Sequence, residues 1–166
     1  MSYAVYSTRG FIVGSGPSGE ASKIYSVYTE DFGLIRAKAQ GVRLAQSKLR
    51  YNLDDYAFCT LSLVKGKEVW RLTGAENLDI SRKDADSFRA RARVLSLVRR
   101  LVQGQERNDA LFQALIALTS DVPPKETNVL SGILSSLGYL DLAALEGKAE
   151  REVIQAINKA LQETQL

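Results

Sequence analysis

The chain has 166 residues, 45% apolar and 25% charged, with a formal net charge of +3, the composition of an ordinary folded protein long enough for one domain or two small ones. It contains no histidine and a single cysteine, Cys59, which excludes histidine-dependent catalysis, an internal disulfide and a cysteine-based zinc site. No apolar run approaches the roughly 18–20 residues of a membrane span, and the start MSYAVYSTRG has neither the basic end nor the apolar centre of a signal peptide, so the expectation is a cytoplasmic protein with no membrane contact, no metal and no cofactor.

The charge is unevenly placed. Residues 1–78 carry 10 basic and 7 acidic side chains, 79–107 carry 8 and 4, and 108–166 carry 4 and 8. A basic first two thirds and an acidic last third suggest an anionic ligand at one end and a different kind of partner at the other.

Residues 3–78 follow a two-residue period. Tyr3, Val5 and Ser7 alternate with Ala4, Tyr6 and Thr8, and Phe11-Ile12-Val13 continues the run until Gly14-Ser15-Gly16-Pro17-Ser18-Gly19, where a first hairpin turn is expected. A strand over 24–29, a turn at Glu30-Asp31-Phe32-Gly33 with glycine suited to positive φ, and a strand over 34–39 come next. In that last strand, alternation sends Ile35, Ala37 and Ala39 to one face and Arg36 and Lys38 to the other. Gly33 to Arg50 holds Arg36, Lys38, Arg43, Lys48 and Arg50 and no acidic residue, so its charge must find anions elsewhere. Strands over 56–64, with Ala57, Cys59, Leu61 and Leu63 on one face, and over 68–74 flank a turn at Lys65-Gly66-Lys67. Five short strands with glycine-bearing turns suit a small closed barrel, and the five-stranded OB-fold is a common nucleic-acid binder of that size.

From Ser81 the period becomes 3.6. Ser81 and Asp84 form a variant capping box, and Ala85, Phe88, Ala92, Leu95, Val98 and Val102 mark one helical face that ends at Gly104. Asn108 caps a second helix through Leu111, Phe112, Leu115, Ile116 and Leu118. Pro123-Pro124 opens a third, with Val129, Leu130, Ile133, Leu134 and Leu137 apolar and Gly138 as its stop. Residues 141–145 form one short turn, and a last helix over 149–163 buries Val153, Ile154, Ile157 and Leu161. The expected class is therefore α+β: an OB-fold barrel over 1–79, then a small all-α bundle over 80–166.

Candidate chemistry is sparse. Gly14, Gly16 and Gly19 spell G-x-G-x-x-G, but a β-type run follows them and not a helix, so a pyrophosphate would lack its helix N-terminus. Cys59 sits among apolar strand residues as a small core side chain, and the pairs Glu30-Asp31 and Asp54-Asp55 read as solvated turn residues. The basic pattern is more informative. At 100° per residue, Arg82, Arg89, Arg93 and Arg100 fall within about 40° of one another, partly compensated by Asp86, as either a solvated helix back or a phosphate-contacting ridge that extends the barrel.

The series Gly19-Glu20-Ala21-Ser22-Lys23-Ile24, then Tyr28-Thr29-Glu30-Asp31-Phe32-Gly33-Leu34-Ile35-Arg36-Ala37-Lys38-Ala39-Gln40-Gly41-Val42-Arg43, then Ser47-Lys48-Leu49 resembles the N-terminal pattern of RecO, the bacterial recombination mediator. The resemblance implies an OB-fold followed by helices, binding of single- and double-stranded DNA, strand annealing, and recombinase loading together with RecR on strands coated by single-stranded-DNA-binding protein, with no bond made or broken. Gln40 stands where the family usually has Arg or Lys, and Asp55 where Pro is common. Many members are longer and carry a four-cysteine zinc site after the Gly138-Tyr139 segment; here the chain continues to DLAALEGKAEREVIQ, which makes it resemble a shortened member.

The expected DNA contacts are Arg36, Lys38, Arg43, Lys48 and Arg50, with Lys65 and Lys67 at a hairpin tip and Arg89 and Arg93 as a helical extension. Tyr25, Tyr51 and Tyr56 are the aromatics best placed by sequence to stack on bases, with a core position as the alternative for each. The residues alone leave two alternatives: a protein-interaction adaptor that uses the barrel as a docking module, and an RNA-binding OB module.

Overall fold

The computed structural model describes residues 3–79, 84–122 and 124–164. Among them are five strands, β1 (Val5–Ser18), β2 (Ser22–Thr29), β3 (Gly33–Ala39), β4 (Phe58–Val64) and β5 (Trp70–Asn77), and four α-helices, α1 (Ala85–Leu101), α2 (Asp109–Ile116), α3 (Glu126–Ser136) and α4 (Glu150–Glu163). The strands close in the order β1-β2-β3-β5-β4, with β4 returning to β1. All pairs are antiparallel except β3 with β5, which run parallel. A five-stranded closed barrel followed by helices is the expected α+β architecture.

Alternation produces the barrel interior. Ile12, Tyr25, Val27, Ile35, Ala37, Cys59, Leu61, Leu63, Trp70 and Leu72 fill it, and Val42 and Leu53 of the β3–β4 connection close one end. Cys59 is fully buried and its thiol meets the Asn52 carbonyl oxygen. At the other end Tyr6, Phe32 and Trp70 make a cluster with ring centroids 4.8–5.6 Å apart. A second core lies outside the barrel wall, where Phe11, Val13, Tyr28 and Phe58 pack against Val94, Leu95 and Val98 of α1, Leu111, Phe112 and Leu115 of α2 and Val129 and Ile133 of α3. The outer face of β1, β2 and β4 around Phe11, Val13, Tyr28 and Phe58 is therefore a helix-docking surface and not a solvated one. Leu134, Ile157 and Ala160 hold α4 to α3.

The first turn lies later than the glycines suggest. β1 runs through Gly14 and Gly16 to Ser18, pairing Gly14 with Ser26 and Gly16 with Ile24, and the reversal occurs at Gly19, whose φ is +69°. The register shifts between Ile12 and Gly14, a bulge that leaves Val13 as the extra residue and sends it to the outer core. Glycine in a strand interior marks a bulge or a close approach as often as a turn. The β2–β3 turn is where it was expected. Thr29, fully buried, accepts from the Phe32 N–H at 3.0 Å and donates to the Gly33 carbonyl at 2.9 Å, and Gly33 has φ +64°. Glu30 and Asp31 in this turn are more than solvated: Arg9 donates twice to Glu30, at 2.7 and 2.8 Å, holding its carboxyl below the usual range, and Thr8 donates to Asp31 at 2.7 Å. β5 extends to Asn77, three residues past the expected end.

α1 and α2 begin at side-chain caps. Asp84, not the expected Ser81, caps α1 by accepting from the Ser87 N–H at 2.7 Å; Ser81 lies outside the described residues, as does Arg82. Phe88, assigned to the buried face, is 37% exposed and sits edge-on to Tyr56, because the core-facing stripe is Val94, Leu95 and Val98, nearer the C-terminal half. Asn108 caps α2 as expected, accepting from the Leu111 N–H. α3 starts at Glu126 with Lys125 as N-cap, so Pro124 precedes the helix and does not open it, and Pro123 is outside the described residues. Gly138, at φ +81°, ends α3 with the paired bonds Gly138 N–H to Ser135 and Tyr139 N–H to Leu134. In α4, Ile154 is 41% exposed and not buried, whereas Ile157 and Ala160 face α3.

Candidate nucleic-acid interface

β3 turns Ile35, Ala37 and Ala39 into the barrel and Arg36 and Lys38 out to solvent. Pairing continues these positions across the sheet. Arg36 lies opposite Ser26 of β2, Lys38 opposite Ile24, and on the other side Lys38 lies opposite Arg71 of β5. Directly paired residues project from the same face, so Arg36, Lys38 and Arg71 form one exposed basic patch on adjacent strands. Arg71 is the residue that sequence reading missed. Its pairing partner is decided by a parallel contact between strands separated by the whole β3–β5 interval, and the one local signal was its alternation with buried Trp70 and Leu72.

The connection after β3 carries the next cations. Gly41, with φ +65°, turns the chain. Arg43 is then pinned against the β1–β2 reversal by its N–H to the Ala21 carbonyl and by its guanidinium to the Gly19 carbonyl at 3.3 Å. Lys48 and Arg50 are exposed around a 3-10 turn at Leu49–Tyr51, and Arg50 lies over the Tyr51 ring at 5.2 Å. A cleft of about 420 Å³ opens beside this connection, lined by the cations Lys23, Arg43 and Arg50 and by the carboxylates of Asp54 and Asp55. Lys65 and Lys67 are exposed at the β4–β5 hairpin.

The helical cations behave differently. Arg93 makes a two-point contact with Glu126 of α3, at 2.7 and 3.2 Å, and that bond raises its pKa further. Arg89 pairs with Asp86 at 3.2 Å. Both are exposed, but each already has a carboxylate.

The three tyrosines separate. Tyr51 is 69% exposed, with the Arg50 guanidinium over its ring. Tyr25 is not, being 2% exposed inside the barrel, where burial first and then Asp55 and Asp54 push its hydroxyl up to about 12. Tyr56 is also withdrawn: it is half-buried at a φ of +66°, with its hydroxyl 3.2 Å from Ser96 of α1. Period-two alternation cannot say which face of a closed barrel is the inside, which decides Tyr25, whereas Tyr56, in the turn before β4, is withdrawn by the packing of α1; for both the core alternative holds.

The first part of the chain, residues 1–81, matches the family model described as Recombination protein O N terminal. The "DNA repair protein RecO" of Dehalococcoides mccartyi is 30% identical over 120 residues, 70% of this chain and 47% of that one. The protein of the same name from Rubrobacter xylanophilus is 30% identical over 154 residues, 89% of this chain and 60% of that one. The chain belongs to the RecO family. It spans about half the length of the curated relatives it matches, with 47% of one and 60% of another. The matched segment holds Arg36, Lys38, Arg43, Lys48, Arg50, Lys65, Lys67 and Arg71, whereas Arg89 and Arg93 lie past its end. The residues that carry the family resemblance also have local structural duties: Thr29 and Gly33 build the β2–β3 turn, and Gly41 and Arg43 fix the connection after β3. Among the described residues no group of three His, Cys, Asp or Glu side chains is placed to hold a metal, and no helix is long and apolar enough to cross a membrane.

Proposed function

We infer that this RecO-family chain binds single-stranded DNA on the outer face of its barrel and acts in recombinational DNA repair, without catalysing a reaction. The observation that carries this reading is the patch of Arg36, Lys38 and Arg71 on paired strands of an OB-type barrel, because a basic sheet face beside a basic loop tracks a phosphate backbone. The names of the relatives, "DNA repair protein RecO", support the repair role, and with it a cytoplasmic location. Arg43, Lys48 and Arg50 continue the path, Lys65 and Lys67 reach it from the hairpin, and Tyr51 supplies a stacking ring. Annealing of complementary strands, contact with double-stranded DNA, and recombinase loading with RecR and single-stranded-DNA-binding protein belong to the same proposal, whereas Arg89 and Arg93, already paired with Asp86 and Glu126, have no part in it.

The test is fluorescence anisotropy of a labelled oligo(dT) and a labelled oligo(rU) against salt. Each phosphate contact on a single strand contributes about 0.7 to the slope of log K against log salt. Replacing Arg36, Lys38 and Arg71 by Gln together is expected to flatten that slope by about 2 while leaving the melting temperature unchanged. A slope near zero for the unaltered protein would reject the reading, and preference for oligo(rU) would move it to RNA.

A further inference from the structure

The G-x-G of β1 has no part in a dinucleotide site, yet it lies beside the basic patch. The cross-strand register runs Gly14, Ser26, Arg36 in one row and Gly16, Ile24, Lys38, Arg71 in the next. Tyr25 points into the barrel, so its partner Ser15 faces inward and Gly14 and Gly16 face out with Ser26 and Ile24. The outer face of β1 and β2 at this end is thus nearly flat: Gly16, Ser26 and Ile24 are half-buried, and Gly14 is buried beneath Arg99. A Cβ on Gly16 would meet nothing within 4 Å.

The far edge of this floor is basic as well. Arg99 of α1 lies across Gly14, with its guanidinium carbon 3.0 Å from where a Cβ would stand. It is exposed and makes no salt bridge among the described residues. The bulge at Val13 explains how it gets there: Val13 goes under the helices, which draws α1 close to β1, and Gly14 follows with no side chain to keep Arg99 off. From β1 to β3 is two interstrand spacings, about 10 Å, a floor narrow enough for side chains on both edges to reach one backbone.

We propose that Gly16 and Ser26 form the floor, and Arg99, seated over Gly14, the second wall, of a groove that carries a single DNA backbone from the Arg36, Lys38 and Arg71 patch across to α1. This rests on the nucleic-acid reading above and adds to it where the strand goes. Glycine is used because the backbone N–H and C=O of the sheet face can then be approached closely, and Arg99 because a planar guanidinium meets phosphate oxygens at two points. The helical contribution to binding therefore comes from Arg99, and not from Arg89 or Arg93, which are occupied by carboxylates.

The experiment compares Arg99→Gln, Gly16→Val and the triple variant Arg36→Gln, Lys38→Gln, Arg71→Gln with the unaltered chain, by oligo(dT) anisotropy across salt and by thermal melting. Gly16→Val puts a strand-favouring side chain into open space, so its melting temperature is expected to hold or rise while affinity falls about tenfold. Arg99→Gln is expected to lower the salt slope by about 0.7, one phosphate contact, with no change in melting. If the triple variant loses binding while Arg99→Gln and Gly16→Val bind like the parent, the groove is overturned and the barrel patch stands. If the triple variant binds like the parent, the underlying reading falls and takes the groove with it. Should Gly16→Val fail to fold, Arg99→Gln and the milder Gly16→Ala decide the matter.

Discussion

Arg91 of α1 donates to the Asp79 carboxylate at 2.8 Å, and the two side chains are only 14% and 5% exposed. The pair is fully engaged. Arg91 also donates to the Leu118 carbonyl after α2 at 2.9 Å, and the second oxygen of Asp79 accepts from the Phe58 N–H of β4 at 2.8 Å. One ion pair thus ties the end of the barrel, the first helix and the segment after the second.

Breaking a buried pair by removing one partner leaves the other charge unsatisfied and typically costs about 3–5 kcal/mol. Arg91→Met is accordingly expected to destabilise the protein by about 3 kcal/mol in urea unfolding. Asp79→Asn should cost a similar amount, because its amide oxygen can still accept from the Phe58 N–H but its NH2 then faces the Arg91 guanidinium, donor against donor. A loss no greater than that of a surface substitution in Arg91→Met would show that the pair carries no weight in joining barrel and helices.

Alkaline pH tests the barrel interior and the outer core together. Burial holds the Tyr25 and Tyr28 hydroxyls at about 12 against an ordinary value of 10.0. A raised pKa for a group that ionises to an anion means the native state resists deprotonation. Its stabilising share is complete below pH 10 and disappears as pH rises toward 12, on the order of 2–3 kcal/mol for each ring. In a spectroscopic titration, two of the seven tyrosines should ionise only near or with unfolding in that window. Complete, reversible ionisation of all of them near pH 10 with the fold intact would contradict the burial of these two.

Two glycines at the ends of β2 separate backbone strain from crowding. Gly19 has φ +69° with open space around it, whereas Gly33 has φ +64° and the backbone of Glu106 against it, the Glu106 carbonyl carbon 2.8 Å from a Cβ position. Gly19→Ala should cost about 1–2 kcal/mol, the left-handed penalty alone. Gly33→Ala should cost clearly more, because the segment before α2 must also move. Equal losses in melting temperature would mean that the Glu106 backbone yields freely.

Changing Arg89 and Arg93 together to Gln is expected to leave affinity for single strands and its salt slope within error of the parent. Asp86 and Glu126 already neutralise those guanidiniums. A slope shallower by more than about 1 would return them to the DNA path.

Much of this protein is decided within a few residues of chain. The inward set Ile35, Ala37 and Ala39 against the outward Arg36 and Lys38, the turn held by Thr29 and Gly33, the Asn108 cap and the Gly138 stop depend on side-chain alternation, local hydrogen bonds and permitted φ, and are legible from the sequence for that reason. What depends on pairing at a distance is not. Arg71 joins Lys38 only because β5 returns parallel to β3; Tyr25 is inside only because the barrel closes on that face; and Phe58, on the outer side of its strand, is buried only because three helices cover it. The glycines at 14 and 16 show the limit most plainly. Glycine permits a turn, a bulge or a close neighbour at little steric cost, so the sequence marks the place, and only the approach of α1, with Arg99 laid over Gly14, selects among them.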